Sequence, residues 1–186
     1  AMDRALARNL QDIIVVATGL ESKCSVDIAL QPPYERALAT FARDDVSWLH
    51  VDTHGTAESI MLGPSRDPRH MAKPTDLPDT IPVPLVILVG CQLTSGAASI
   101  GSGILPRGPI SVWGPCVTFT SLGLAGSDDS QVLWYQTFFG SLLDGHDIGK
   151  SLLLARQALS DGSALKFTWL ILGSSLLCFD KGQNSR

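Results

Sequence analysis

Two apolar runs with polar tips dominate the hydrophobic pattern of this chain. Val46–Gly55 reads VSWLHVDTHG and Val83–Gln92 reads VPLVILVGCQ. Short apolar runs bounded by turn residues are typical of strands that are buried on both faces, as in parallel sheets. Parallel strands carry their functional residues just beyond their carboxyl ends. The pattern therefore predicts that His54 and Cys91 lie at one edge of a sheet, each at the tip of a strand.

The rest of the pattern predicts alternating strands and helices. Further strands are predicted at Ile13–Ala17, Ser25–Leu30, Ser59–Leu62, a region around Val112 and Val117–Thr120, and Phe167–Leu172. Helices are predicted at Tyr34–Arg43, Thr94–Ile104, Ser130–Leu143 and Asp147–Leu159. Such alternation predicts an α/β fold with a mostly parallel central sheet and helices on both faces. Residues 63–84 contain six of the eleven prolines and are predicted to form a long loop, typical of a lid, binding element or tether.

Length and composition are those of one globular domain. The 186 residues, with 45% hydrophobic and 17% charged side chains, predict a single domain over residues 1–186. Ala1 before Met2 resembles a cloning remnant, so the domain is compatible with excision from a larger protein. The net charge of −4 gives no basic surface, and we expect no direct binding to nucleic acid.

The four cysteines are scattered and form no C-x-x-C pair. This spacing argues against a zinc cage or a disulfide framework and favours a reducing, cytoplasmic compartment. The apolar run Ile13–Leu20 lacks the basic segment of a signal peptide. Phe167–Phe179 is shorter than the roughly 20 residues of a membrane helix, so we expect no membrane association. No metal or cofactor is predicted.

A cysteine and a histidine at neighbouring strand tips form the minimal machinery of a thiol nucleophile. A free thiol has a pKa of about 8.5, so a nearby imidazole is needed to take its proton at neutral pH. The backbone N–H groups of Gly55 and Cys91 are candidate donors to an oxyanion. Each residue alone is a weak signal, because a lone Cys at a strand end is more often a small core residue and a lone His a structural one.

A metal site is the alternative interpretation of the same strand. His50, Asp52 and His54 alternate, so they share one face and could supply half of a metal site. A metallohydrolase would need further His or carboxylate ligands at another strand tip, and none follows the other predicted strands. The metal interpretation is therefore the weaker one.

Four segments resemble CHAT domains, a family of caspase-like cysteine peptidases. LHVDTHG is similar to the family's histidine segment and LVILVGCQLTSG to its cysteine segment. WYQTFFGSLLDGHDIGKSLLLARQAL is similar to the helix pair of that family, and FTWLILG to its closing strand. The resemblance spans residues 46–173 in the family's order. It implies a caspase-like three-layer αβα sandwich in which Cys91 is the nucleophile and His54 the base.

The resemblance also implies a function. It implies a cysteine endopeptidase that cleaves a protein substrate and is regulated by a partner or sensor module, with bacterial defence or cell death as a setting. The alternative is a catalytically inactive, caspase-like interaction module.

Three departures concern the substrate pocket. Gln92 replaces the usual Glu, the segment from Ser121 to Gly126 lacks the usual Trp, and Val89 stands where metacaspases carry an Asp that selects basic residues. We expect Gln92 and Ser121 to contact substrate. Glu21 is a weaker candidate, because a solvated surface Glu is the simpler interpretation.

Overall fold

A mostly parallel sheet is the main element of this protein, as described by a computed structural model. The structure describes residues 16, 19–21, 23–63, 67–115, 130–159 and 169–179. In chain order, the described strands are β1 Trp48–Asp52, β2 Ile60–Met61, β3 Met71–Ala72, β4 Leu85–Val89, β5 Ser111–Pro115 and β6 Trp169–Gly173. The described helices are α1 Tyr34–Thr40, α2 Ile100–Ile104, α3 Ser130–Leu143 and α4 Ile148–Ala158.

The main sheet has the strand order β1-β4-β5-β6. β1 pairs with β4 and β4 with β5 in parallel, whereas β6 runs antiparallel to β5. β2 and β3 form a separate antiparallel pair. The predicted α/β class with a mostly parallel sheet is confirmed.

Strand β4 is buried on both faces, as its uninterrupted LVILV sequence predicts. Val86 and Leu88 point into a core that α1, α2 and the segment between β3 and β4 complete. Leu85, Ile87 and Val89 point to the opposite face and are also buried. Leu49 and Val51 of β1 pack against the first of these cores, so the even-numbered residues of β1 face the other way.

The chain divides into two units. One comprises residues 31–119 and 168–174 and contains the sheet; the other comprises residues 1–30, 120–167 and 175–186. In the second unit α3 and α4 pack against each other as predicted, and Asp147 caps α4 by accepting a hydrogen bond from the Lys150 N–H at 2.7 Å. The described part of the chain has no helix that is both long and apolar enough to cross a bilayer.

The proline-rich span 63–84 is more ordered than predicted. Its described residues include β3 and two single turns of 3-10 helix, Pro68–His70 and Pro74–Asp76. Leu77, Ile81 and Val83 are buried in the core of the sheet unit. The span therefore packs as part of the fold, because its apolar residues alternate with the prolines that bend it.

Other element boundaries also differ from the prediction. Residues 25–30 form no strand, and Val16, Gly19 and Leu20 are helical where a strand and its end were predicted. Helix α2 starts only at Ile100, because Gly96 has φ +86° and Ser99 caps the helix through the Ser102 N–H. β5 continues through Gly114-Pro115, between the two parts of the strand region that was predicted around Val112 and Val117–Thr120. Val117–Thr120 and most of Ile13–Ala17 lie outside the described residues.

Arg107 holds the proline-rich span against α2, and its removal is expected to be costly. Its guanidinium donates to the carbonyls of Leu77 and Pro78 at 3.0 and 2.8 Å and to Gly103 at 3.1 Å. Arg107→Ala should lower the free energy of unfolding by about 1–3 kcal/mol, because partly buried carbonyls lose their donor. Arg36→Ala on the exposed surface of α1 should change it by less than about 0.5 kcal/mol. Urea unfolding measures both values, and equal effects would contradict the assigned role.

Candidate active site at two parallel strand tips

The backbone of His54 is fixed on two sides. On one side the Thr53 N–H donates to the Val89 carbonyl at 2.8 Å, which continues the pairing of β1 with β4. On the other side the His54 carbonyl accepts from the Met61 N–H at 2.9 Å, and the Thr53 hydroxyl donates to the Met61 carbonyl at 2.7 Å. The tip of β1 therefore lies between β4 and β2, which restricts where the imidazole can point.

Cys91 begins the turn that follows β4. Gln92 has φ +58°, a left-handed conformation that is uncommon for a residue with a side chain. The Ser95 N–H closes the turn by donating to the Gln92 carbonyl at 3.0 Å, and Leu93 anchors it in the core with no exposed surface. Gln92 is exposed and Cys91 half-buried, so the thiol lies in a tight turn at the sheet edge.

The strand register brings the two tips to the same position. The parallel pairing of β1 with β4 runs from Trp48 opposite Leu85 to Asp52 opposite Val89. Thr53 and Gly90 are bends and Cys91 starts a turn, so the regular pairing ends before these residues. His54 and Cys91 therefore each lie two residues beyond the carboxyl end of one of two neighbouring parallel strands.

Two glycines allow this close approach. A Cβ on Gly90 would lie 2.5 Å from the Thr53 carbonyl oxygen and 2.8 Å from Cδ1 of Leu93. A Cβ on Gly55 would overlap Cδ2 of the same leucine. Because these distances are shorter than van der Waals contact, the absence of side chains at both positions is a condition of the geometry.

The N–H of Gly55 points away from β2. Gly55 and Ile60 form a bridge whose hydrogen bonds are made by their neighbours, Met61 N–H to the His54 carbonyl and Thr56 N–H to the Ser59 carbonyl. Such a pair directs its own N–H groups outward. The Gly55 N–H is therefore not used by this bridge and remains directed away from β2.

A half-buried histidine and a half-buried aspartate precede the tip of β1. His50 pairs with Ile87 and Asp52 with Val89, so both have apolar neighbours on β4. Burial lowers the pKa of His50 to about 4 and raises the pKa of Asp52 to about 7. Asp52 keeps some exposed surface, but its Oδ2 is buried and accepts no hydrogen bond from the described residues. The alternation of His50, Asp52 and His54 is visible in the sequence. The lack of a hydrogen-bond donor to the Asp52 Oδ2 among the described residues is not.

Asp52→Asn is expected to stabilise the protein more at alkaline than at acidic pH. The folded state keeps the proton on Asp52 up to about pH 7, whereas the unfolded chain releases it near the ordinary value of 3.8, so the aspartate lowers stability as the pH rises between these values. The contribution of His50 runs in the opposite direction but is the same in both proteins. The gain in unfolding free energy at pH 8 should exceed the gain at pH 5 by about 2–3 kcal/mol. Urea unfolding at the two pH values measures the difference, and equal gains would contradict it.

The three residues predicted to contact substrate lie in different parts of the chain. Gln92 directly follows Cys91, whereas Glu21 is exposed and belongs to the other unit, and Ser121 lies outside the described residues. Within the described ranges, no three His, Cys, Asp or Glu side chains are grouped as a metal would require. The described residues therefore give no support to the interpretation of His50, Asp52 and His54 as half of a metal site.

Two other thiols provide a contrast to Cys91. Cys24 is half-buried and its Sγ donates to the Leu20 carbonyl at 3.6 Å, and burial raises its pKa. Cys178 is exposed. A raised pKa reduces the thiolate fraction, so Cys24 is expected to react slowly, while Cys178 is a reference for an accessible cysteine.

Comparisons with known proteins add little to this geometry. No family model matches the chain, and no curated protein matches it. A solved structure described as "Structure of Protease" is similar to 77% of the chain, with 13% sequence identity and a TM-score of 0.46. The chain spans 37% of the length of that protein. The α/β class follows from the strands and helices themselves.

Proposed function

We propose that this chain is a cysteine endopeptidase with a dyad of Cys91 and His54. The observation that supports it most is the parallel pairing of β1 with β4, because His54 and Cys91 each follow the carboxyl end of one of these neighbouring strands. Peptidase chemistry needs a thiol and a base within reach of one carbonyl group. The resemblance of the two tip sequences to CHAT domains favours a peptidase over other thiol chemistry.

The proposed reaction proceeds through an acyl-enzyme. His54 takes the proton of the Cys91 thiol, and the thiolate adds to the scissile carbonyl carbon. The N–H groups of Gly55 and Cys91 donate to the resulting oxyanion; the direction of the Gly55 N–H supports its part in this step. His54 then gives its proton to the leaving amine as the C–N bond breaks. Finally His54 takes a proton from water, and the hydroxide adds to the thioester carbon. The C–S bond then breaks, Cys91 leaves as a thiolate that regains its proton from His54, and the acid product is released.

The wider setting belongs to the same proposal. The substrate is a protein, and a partner or sensor module regulates access to the dyad, as the resemblance to CHAT domains implies. The scattered cysteines, which form no C-x-x-C pair, favour the cytoplasm. The family resemblance favours bacterial defence or cell death as the setting. Gln92 directly follows Cys91 and its side chain is exposed, which favours contact with an incoming substrate.

Cleavage of a peptide library tests the proposal. The wild-type chain and a folded Cys91→Ala variant are incubated with a mixture of peptides, and new termini are identified by mass spectrometry. We expect cleavage by the wild type and a loss of at least about a thousandfold in the variant, because the nucleophile is absent. If the wild type cleaves nothing and Cys91→Ala retains the full cellular activity, the chain is a non-catalytic interaction module instead.

A further inference from the structure

Asp52 places a carboxyl group close along the chain to the proposed base. It is the last residue of β1, and His54 follows two positions later, beyond the bend at Thr53. Two residues span at most about 7 Å, so the two Cα atoms lie within that distance. Val89 lies beside Asp52 on β4, at the position that precedes Cys91 by two residues.

This carboxyl group does not serve the stability of the fold. Its Oδ2 is buried and has no hydrogen-bond donor among the described residues, and its neighbour on β4 is apolar. A buried carboxyl group without a partner is destabilising, so an apolar residue or an asparagine would serve the strand better. Leu85–Val89 of β4 contains no titratable side chain, so the titratable residues close to Asp52 along these two strands are His50, His54 and Cys91.

We infer that Asp52 acts through His54, because its carboxylate stabilises the protonated imidazole by its charge. The inference rests on the proposed roles of His54 and Cys91. When the thiol proton moves from Cys91 to His54, a positive charge forms on the imidazole, and a carboxylate two residues away favours that charged state. Asp52 itself touches neither the substrate nor the reacting sulfur. Asp52 is thus expected to lower the stability of the fold and to raise the thiolate fraction at Cys91.

The pH profile of Cys91 alkylation in Asp52→Asn tests the inference. Asparagine has the same shape and no charge. We expect the pH of half-maximal alkylation by iodoacetamide to rise by about one unit and the rate at pH 7 to fall about tenfold. The stability of the variant should not fall. Asp52→Ser is smaller and also neutral and should give the same shift, so either variant decides the question, while Asp52→Glu should restore part of the rate.

Val51→Ala is the matched control. Val51 lies on the opposite side of the same strand and packs against the core, so its truncation should lower stability but leave the pH profile unchanged. An unchanged profile in the neutral Asp52 variants, with a normal wild-type rate, would overturn the inference alone. An unchanged rate in His54→Ala would overturn the proposed function itself, so the two failures are distinguishable.

Discussion

Replacing His54 with Ala is expected to slow the alkylation of Cys91 at least about tenfold at pH 7. The thiolate is the reacting form, and an unassisted thiol with a pKa of about 8.5 is only a few per cent ionised at that pH. In the proposed dyad, the His54 imidazole is the base that takes the thiol proton and raises this fraction. The rate is followed by mass spectrometry of the peptide that contains Cys91.

Two controls accompany this variant. The exposed Cys178 in the same sample should react at the same rate in both proteins, which corrects for reagent and pH. His146→Ala removes an exposed histidine before α4 and should leave Cys91 unaffected. An undiminished Cys91 rate in His54→Ala would show that the two residues do not act as a pair.

Gly90→Ala is expected to separate the two strand tips. The added methyl group would lie 2.5 Å from the Thr53 carbonyl oxygen and 2.8 Å from Leu93, and neither can yield because one is strand backbone and the other is fully buried. We expect a loss of about 1–3 kcal/mol in unfolding free energy from the overpacking. The alkylation rate of Cys91 and any peptidase activity should fall about a hundredfold, because a displacement of about 1 Å is sufficient to disrupt catalytic geometry.

Gly140→Ala is the control for the glycine variant. Its added methyl group meets no atom within 4 Å on α3, so it should raise stability by about 0.5–1 kcal/mol, as alanine does in a helix. Urea unfolding and the alkylation rate are measured on both variants. If Gly90→Ala retains wild-type stability and reactivity, the close contact of the tips is not required for the site.

The two strand tips could be predicted because their signals are local. Val83–Val89 and Val46–Thr53 are uninterrupted apolar runs, and the Gly90-Cys91 and His54-Gly55 pairs mark their ends. The structure places β1 beside β4 in a parallel register that the run lengths alone do not specify. The helices α3 and α4 could likewise be predicted, since the apolar stripe of each and the Asp147 cap of α4 are visible in the sequence.

The packing of the proline-rich span and the burial of the Asp52 carboxyl group could not be predicted, for a common reason. Both depend on contacts between residues that are distant in sequence. Prolines suggested a loop, but Ile60 pairs with Ala72 and Ile81 is buried beneath the sheet. Asp52 looked like one of three alternating polar residues, and only its position beside Val89 shows that its carboxyl group is buried against an apolar strand.

The central claim is that Cys91 is an activated nucleophile among the four cysteines. Wild-type protein is treated at pH 7 with iodoacetamide in an amount below one equivalent, and the modified residue is identified by peptide mass spectrometry. The account predicts that Cys91, although half-buried, is alkylated before the exposed Cys178 and before Cys24. Alkylation in the order of exposure, with Cys178 first and Cys91 no faster than the others, would contradict it.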